Sequence, residues 1–190
     1  MWGVRGGEVW RRLLAHKSAG LIGDLGVSVQ GPGELSVALK CPEIRYIQMP
    51  FNLLDWRWEA VIPELLAAKA SRNVTVHVRS ALMQGLLPSR NEALWRHANV
   101  DSSEAVICWL EQQVARCARK SVADLCLGYV NAQAWVDGVA IGMENIAQLY
   151  DNIELFNHLA LTDEQVANIR MSRPRLLETT LNPALWGNKR

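Results

Sequence analysis

The sequence predicts an α/β fold of parallel βα units, and three observations predict it. Short β-branched runs at Leu25-Gly26-Val27-Ser28-Val29 and at Val74-Thr75-Val76-His77-Val78-Arg79-Ser80 flank Tyr46-Ile47-Gln48-Met49, which reads as the end of a buried strand, with polar or turn-forming residues close behind each. Segments with helical spacing lie between the runs, so helix and strand alternate along the chain. Pro50 breaks the second run: proline has no N–H for a ladder, so Phe51 to Asp55 fall at a strand end, where α/β proteins bind ligands.

The elements follow in order. Met1 to Gly7, with three glycines, reads as a flexible entry. Glu8 to Ala19 sets Val9, Leu13 and Leu14 at helical spacing against Arg11, Arg12, His16 and Lys17, and Gly20 suits the end of that helix. Leu25 to Val29 is the first strand, Glu34 to Leu39 a short helix, and Ile44 to Met49 the second strand. Trp58 to Ala70 is predicted as a long helix and Thr75 to Arg79 as the third strand. Pro88 to Val100 reads as a loop, and Asp101-Ser102-Ser103-Glu104 as the cap of a helix reaching about Arg119. Val122 to Ala134 is a further helix, Val136 to Ile141 a fourth strand ended by Gly142, and Asn145 to Phe156 the helix after it. Thr162-Asp163-Glu164-Gln165 starts a last short helix, and the tail from Arg173 is irregular, anchored by Trp186.

Composition bounds the function. The chain has 190 residues, 49% of them hydrophobic and 21% charged, which fits one domain over residues 1–190 with a substantial core. A net charge of +1 and the lack of a basic cluster argue against nucleic acid or an anionic membrane surface as partner. No apolar run is long enough to span a bilayer and the N-terminus lacks a signal-peptide core, so the cytoplasm is the default location. Cys41, Cys108, Cys117 and Cys126 show neither CxxC spacing nor an adjoining histidine pattern; they read as reduced, mostly buried residues, and no metal site is expected. Gln48, flanked by apolar neighbours, reads most simply as a buried amide satisfied by backbone. His77 and Arg79 alternate with Val76 and Val78, which turns them to the opposite face of the strand, His77 as a satisfied interior histidine.

The segments LIGDLGVSV, YIQMPFNLLD, HVRSALMQGLL and VDGVAIGMENIAQLYDNIELF, in this order and spacing, resemble the second half of an aldo-keto reductase, as does the ending LNPALW. The resemblance implies half of a (β/α)8 TIM-type barrel: four parallel strands with flanking helices, equivalent to the family's fourth helix and strands five to eight. It also implies an absence. The family's catalytic aspartate, tyrosine, lysine and histidine belong to the first four strands, none of Tyr46, Tyr129 and Tyr150 falls where the tyrosine is needed, and no residue here takes a catalytic role. What the resemblance retains is the cofactor's half of the site, for NADP or NAD. Ser28 and Gln48 match the positions that bond the nicotinamide carboxamide. Arg79 falls where many members stack an aromatic ring on the nicotinamide. Ser80, Leu82 and Gly85 match the loop along the pyrophosphate, and Gly142, Met143, Glu144, Gln148 and Asn152 the loop and helix at the adenosine end. Glu144 stands where NADPH-preferring members present a base, so NADH is expected to be tolerated beside NADPH.

Three functions follow from this reading. The chain is an NAD(P)H-dependent carbonyl or alcohol oxidoreductase once the missing catalytic half is supplied; or an inactive homologue acting in binding or assembly through an open, Trp-rich surface; or a different enzyme using His77, Arg79 and Gln48. Half a barrel leaves two sheet edges and one face uncovered, which predicts a homodimer or a partner chain that completes it.

Overall fold

The computed structural model describes residues 7–187, so the entry predicted for Met1 to Gly7 lies, apart from Gly7, outside the described residues. Four strands form one parallel sheet in the order β1-β2-β3-β4: β1 is Leu25–Ser28, β2 Ile44–Pro50, β3 Thr75–Arg79 and β4 Gly138–Val139. Helices fill the connections, with α1 at Glu8–Ser18, α2 at Pro32–Leu39, α3 at Ile62–Ser71, α4 at Glu92–His97, α5 at Glu104–Arg116, α6 at Val122–Asn131, α7 at Ile146–Phe156, α8 at Asp163–Ser172 and α9 at Glu178–Leu181.

Strand alternation assigns the two faces of the sheet. Ile47, Met49, Val76 and Val78 point to the helices and are buried with Leu35, Leu65, Trp58 and Trp95 in one continuous core. Gly26, Ser28, Tyr46, Gln48 and His77 point the other way and are exposed. Gln48 is therefore no buried amide, and His77 no interior histidine; it packs at 6.1 Å against the edge of the Tyr46 ring on an open floor. Gly26 is needed on that floor, because a Cβ there would lie 2.8 Å from the Tyr46 Cβ and 3.0 Å from its carbonyl oxygen.

Several boundaries differ from the sequence reading, each for a local reason. The strand predicted to stop before Pro50 includes it, and the next donor, the Phe51 N–H, bonds the Arg79 carbonyl at 2.9 Å. The helix expected from Trp58 begins at Ile62: Asp55 first caps a 3-10 turn over Trp56–Trp58, and Pro63, lacking an N–H, fits only the first turn of the helix that follows. The loop predicted over 88–100 contains α4, whose N-cap Asn91 accepts from the Ala93 N–H at 2.9 Å. The tail is not wholly irregular either, since α9 and a 3-10 turn at Pro183–Leu185 lie within it. Trp186 does anchor it, donating to the Thr180 carbonyl at 2.7 Å and standing edge-on to His97.

The fourth strand is the largest difference. The predicted six residues shrink to Gly138–Val139, because β4 pairs with β3 alone and the Asp137 carboxylate takes the Val76 N–H at 2.7 Å beside it. Backbone bonds from Asp137 N to Val76 O and from Ala140 N to Val78 O extend the contact slightly at both ends. The tryptophans were read as core or interface residues, and the assembly reading placed them on an open surface. Instead Trp58, Trp95 and Trp135 are buried, and Trp10, Trp56, Trp109 and Trp186 are packed against the core. The exposed apolar side chains gather elsewhere: Ile146, Leu149, Tyr150 and Ile153 form a stripe along α7, a helix with no buried residue. No helix of the described residues is long and apolar enough to cross a membrane.

Candidate functional site

A cleft of about 990 Å³ opens beyond the carboxyl ends of β3 and β4. Strand ends expose unpaired backbone groups and the side chains that leave the sheet, which is why α/β ligands bind there. One wall is the segment after β3. Ser80, Met83, Gln84 and Gly85 all have left-handed backbone, at φ 62°, 48°, 55° and 77°. Three of the four are not glycine, and such conformations persist where surrounding packing over-determines them. Met83 supplies that packing: it is fully buried, and the Asn52 amide donates to its sulfur at 3.6 Å.

The opposite wall is built from the starts of two helices. Ser121 caps α6 and accepts the Asp124 N–H at 3.1 Å, while Asn145 caps α7 and accepts the Gln148 N–H at 2.9 Å. The Gln148 side chain returns a bond from the Glu144 N–H at 2.7 Å, which holds the loop from Gly142 to Asn145 against the helix. Two helix N-termini facing one cleft offer partial positive charge and free N–H groups to an anion.

Nine of the eleven residues singled out in the sequence line this cleft: Arg79, Ser80, Leu82 and Gly85 on one side, Gly142, Met143, Glu144, Gln148 and Asn152 on the other. The remaining two, Ser28 and Gln48, lie beside it on the open floor of the sheet. They are register partners across β1 and β2, and the Ser28 hydroxyl points at the Gln48 carbonyl oxygen at 3.5 Å. Arg79 is tied rather than free. Its Nη2 donates to Gln30 Oε1 at 2.7 Å and to the Val29 carbonyl at 3.3 Å, and Gln30 Nε2 donates on to Asn182 Oδ1 at 2.8 Å. The guanidinium thus bridges the end of β1 to the C-terminal segment. Gln48 and His77 are register neighbours, while the Arg79 guanidinium is engaged by Gln30 and the Val29 carbonyl.

Residues that the sequence reading passed over complete the lining, among them Gln84, Lys120, Ser121, Asp151, Glu154 and Leu155. Lys120 Nζ bridges to Glu154 at 2.7 Å, and that bond holds the Glu154 carboxyl below its usual range. The Ser121-x-x-Asp124 spacing, a helix-start signature, is the signal that marks this corner of the cleft in advance.

The aldo/keto reductase family model matches residues 7–173. The chain belongs to the aldo/keto reductase family. Among curated proteins, this family member is similar to an uncharacterized oxidoreductase of Bacillus subtilis, YqkF, with 28% identity over 156 residues, 79% of this chain and 50% of that protein. Among solved structures it is similar to aldo-keto reductase AKR11C1 from Bacillus halodurans, in its apo and holo forms, at TM-score 0.68 and 24% identity. That likeness covers 86% of this chain and 55% of the apo-form chain. The glycerol dehydrogenase AKR11B4 from Gluconobacter oxydans gives TM-score 0.62 and 22% identity over 88% of this chain and 54% of its own. This aldo/keto reductase chain thus spans about half the length of the relatives it matches, and its four parallel strands with flanking helices are half of the barrel. The family is one of oxidoreductases that generally use NADP(H).

Proposed function

We propose that the chain is the dinucleotide-binding half of a nicotinamide-dependent oxidoreductase acting on a small carbonyl or alcohol. The observation that carries this reading is the convergence of nine expected residues from two separated segments, residues 79–85 and 142–152, on a single cleft at the strand ends. Its dimensions and its two helix N-termini fit an extended molecule with a central anion. When bound, the nicotinamide supplies hydride. The side chains of this chain bind and orient: Ser28 and Gln48 hold the carboxamide, the left-handed segment from Ser80 to Gly85 runs along the pyrophosphate, and the loop from Gly142 to Asn152 embraces the adenosine.

The proton for a carbonyl oxygen comes from elsewhere in this reading. Tyr46 and His77 sit on the floor in contact with each other, away from the cleft's lining, so the acid belongs to the catalytic half-barrel, carried by another polypeptide or by a further part of the same one. The apolar stripe of α7 and the two sheet edges support such an assembly, since a helix with no buried residue gains most of its stability from a partner. That stripe also favours one other reading, a binding protein that assembles without turnover.

Co-expression with the half of YqkF that this chain does not match separates the two. The oxidoreductase reading predicts reduction of a probe such as 4-nitrobenzaldehyde by NADH or NADPH at least ~100-fold faster than with either half alone, the scale general acid catalysis supplies. A stable complex without turnover favours the assembly reading and contradicts the enzymatic one.

A further inference from the structure

A second cavity, of about 350 Å³, opens between α5 and α8 and shares no lining residue with the strand-end cleft. From α5 and its C-cap it is lined by Gln113, Arg116 and Cys117, and from α8 by Gln165, Asn168 and Met171 among others. Steps of three and four residues put each set on one face of its helix, so one face of each borders the cavity. Trp109 bridges the two helices, its indole N–H donating to the Ser172 hydroxyl at 3.3 Å.

The lining has more donors than partners for them. Gln113 is 2% exposed, and its side-chain nitrogen has no hydrogen-bond partner among the described residues. Buried amides are ordinarily paired, so an NH2 left over beside a cavity points to what the cavity receives. The torsion that carries this amide is broad and two-fold, which lets the NH2 turn toward the cavity. Arg116 is exposed and, among the described residues, its guanidinium makes no ion pair or hydrogen bond. Gln165 commits its oxygen to the Thr162 N–H at 3.0 Å, which leaves its NH2 over. No carboxylate lines the cavity; Asp163 and Glu164, in the first turn of α8, lie outside the lining. The Cys117 thiol adds no negative charge either, because burial raises it further than Arg119 and Arg116 lower it.

We propose that this cavity binds a small organic acid, its carboxylate taken by the Arg116 guanidinium and the NH2 groups of Gln113 and Gln165, its short apolar body lying on Cys117 and Met171. The planar fork of arginine matches the two oxygens of a carboxylate, whose remaining lone pairs accept from the two amides. The volume lies at the small end of ligand pockets, which suits such a molecule. Nothing in this proposal rests on the cofactor reading.

The test is an NMR titration of the full chain, read at side-chain NH2 and arginine Nε–H groups. The probes are sodium butanoate, butanamide as its uncharged counterpart, and inorganic phosphate. The expected result is saturable shifts at Gln113, Gln165 and Arg116, with butanoate bound at least ~10-fold tighter than butanamide, the margin between a charge-assisted and a neutral hydrogen bond. Arg116→Gln removes that margin. Gln113→Leu weakens butanoate several-fold without lowering the urea midpoint, since the buried NH2 it deletes has no partner in the fold. Equal affinity for butanoate and butanamide, or a margin that survives Arg116→Gln, overturns the proposal. Tighter binding of phosphate than of butanoate overturns the assignment to a carboxylate, and a lowered midpoint with intact binding in Gln113→Leu overturns the role of that amide. No response to any probe, or shifts confined to residues 79–85 and 142–152, overturns the site itself.

Discussion

Asp55→Ala is expected to lower stability by about 3–5 kcal/mol, the cost of stranding one partner of a buried ion pair. The Asp55 side chain has no exposed surface, and that of Arg57 is 7% exposed. The carboxylate accepts twice from the guanidinium, at 2.8 and 2.7 Å, and takes the Trp58 indole N–H at 2.9 Å. Arg57 in turn donates to the Leu181 carbonyl at 3.1 Å, which fastens the C-terminal segment beneath the end of β2. Without Asp55 the guanidinium is desolvated and unpaired, and the buried Trp58 N–H loses its acceptor, so several buried polar groups go unsatisfied together. The urea midpoint reads the loss, and proteolysis near residues 176–187 reads the loosened tail. The double variant Asp55→Ala/Arg57→Met recovers most of the midpoint, because removing both charges leaves no stranded one.

A second buried carboxylate ties the cleft's outer wall together, and Asp124→Ala is expected to cost about 2–4 kcal/mol at neutral pH. Asp124 is 2% exposed, accepts from the Lys120 N–H at 2.9 Å and from Arg119 at 3.3 Å, and lies 3.1 Å from His158 Nδ1. Burial pushes its carboxyl up, but the Lys120 N–H, His158 and Arg119 together overcome that, and the net shift is downward. A carboxyl lowered on folding contributes its full stability above the unfolded value, about 3.9, and loses it as the pH falls through the folded value. The contribution of the Asp124 carboxylate is therefore present above about pH 4 and is lost as the pH falls further, so the gap between wild type and Asp124→Ala closes there. Because His158 follows α7 and Lys120 lines the cleft, the variant also weakens dinucleotide binding, which titration at pH 7 measures.

The first three strands were legible because each carries its pattern locally: apolar residues at every second position with turn signals behind them. The start of α8 was legible from Thr162-Asp163-Glu164-Gln165, although the helix expected to be short runs for 10 residues, and Thr162 and Gln165 form a reciprocal capping box there. What the sequence hid depends on neighbours. The length of β4 is set by the Asp137 carboxylate intercepting a β3 N–H, a tertiary event with no sequence period. The exposure of Gln48 and His77 was misread for a related reason. Alternation says which side chains share a face, but only the neighbouring elements say whether that face is covered, and among the described residues it is exposed. Within the site, two segments, the one after β3 and the one after β4, were found through resemblance. Lys120 and Ser121 were missed because they reach the cleft from the start of α6, a helix expected in the sequence but not tied to the strand ends by any local pattern.

In the proposed function the cleft between the Ser80–Gly85 segment and the Gly142–Asn152 segment binds a dinucleotide, and amide hydrogen exchange of the chain with and without saturating NADH tests this. The expected result is slowed exchange confined to those two segments and to β1 and β2 near Ser28 and Gln48, with the effect at β1 and β2 lost in Gln48→Ala. Unchanged exchange in both cleft segments, or protection confined to the α7 stripe, would contradict it.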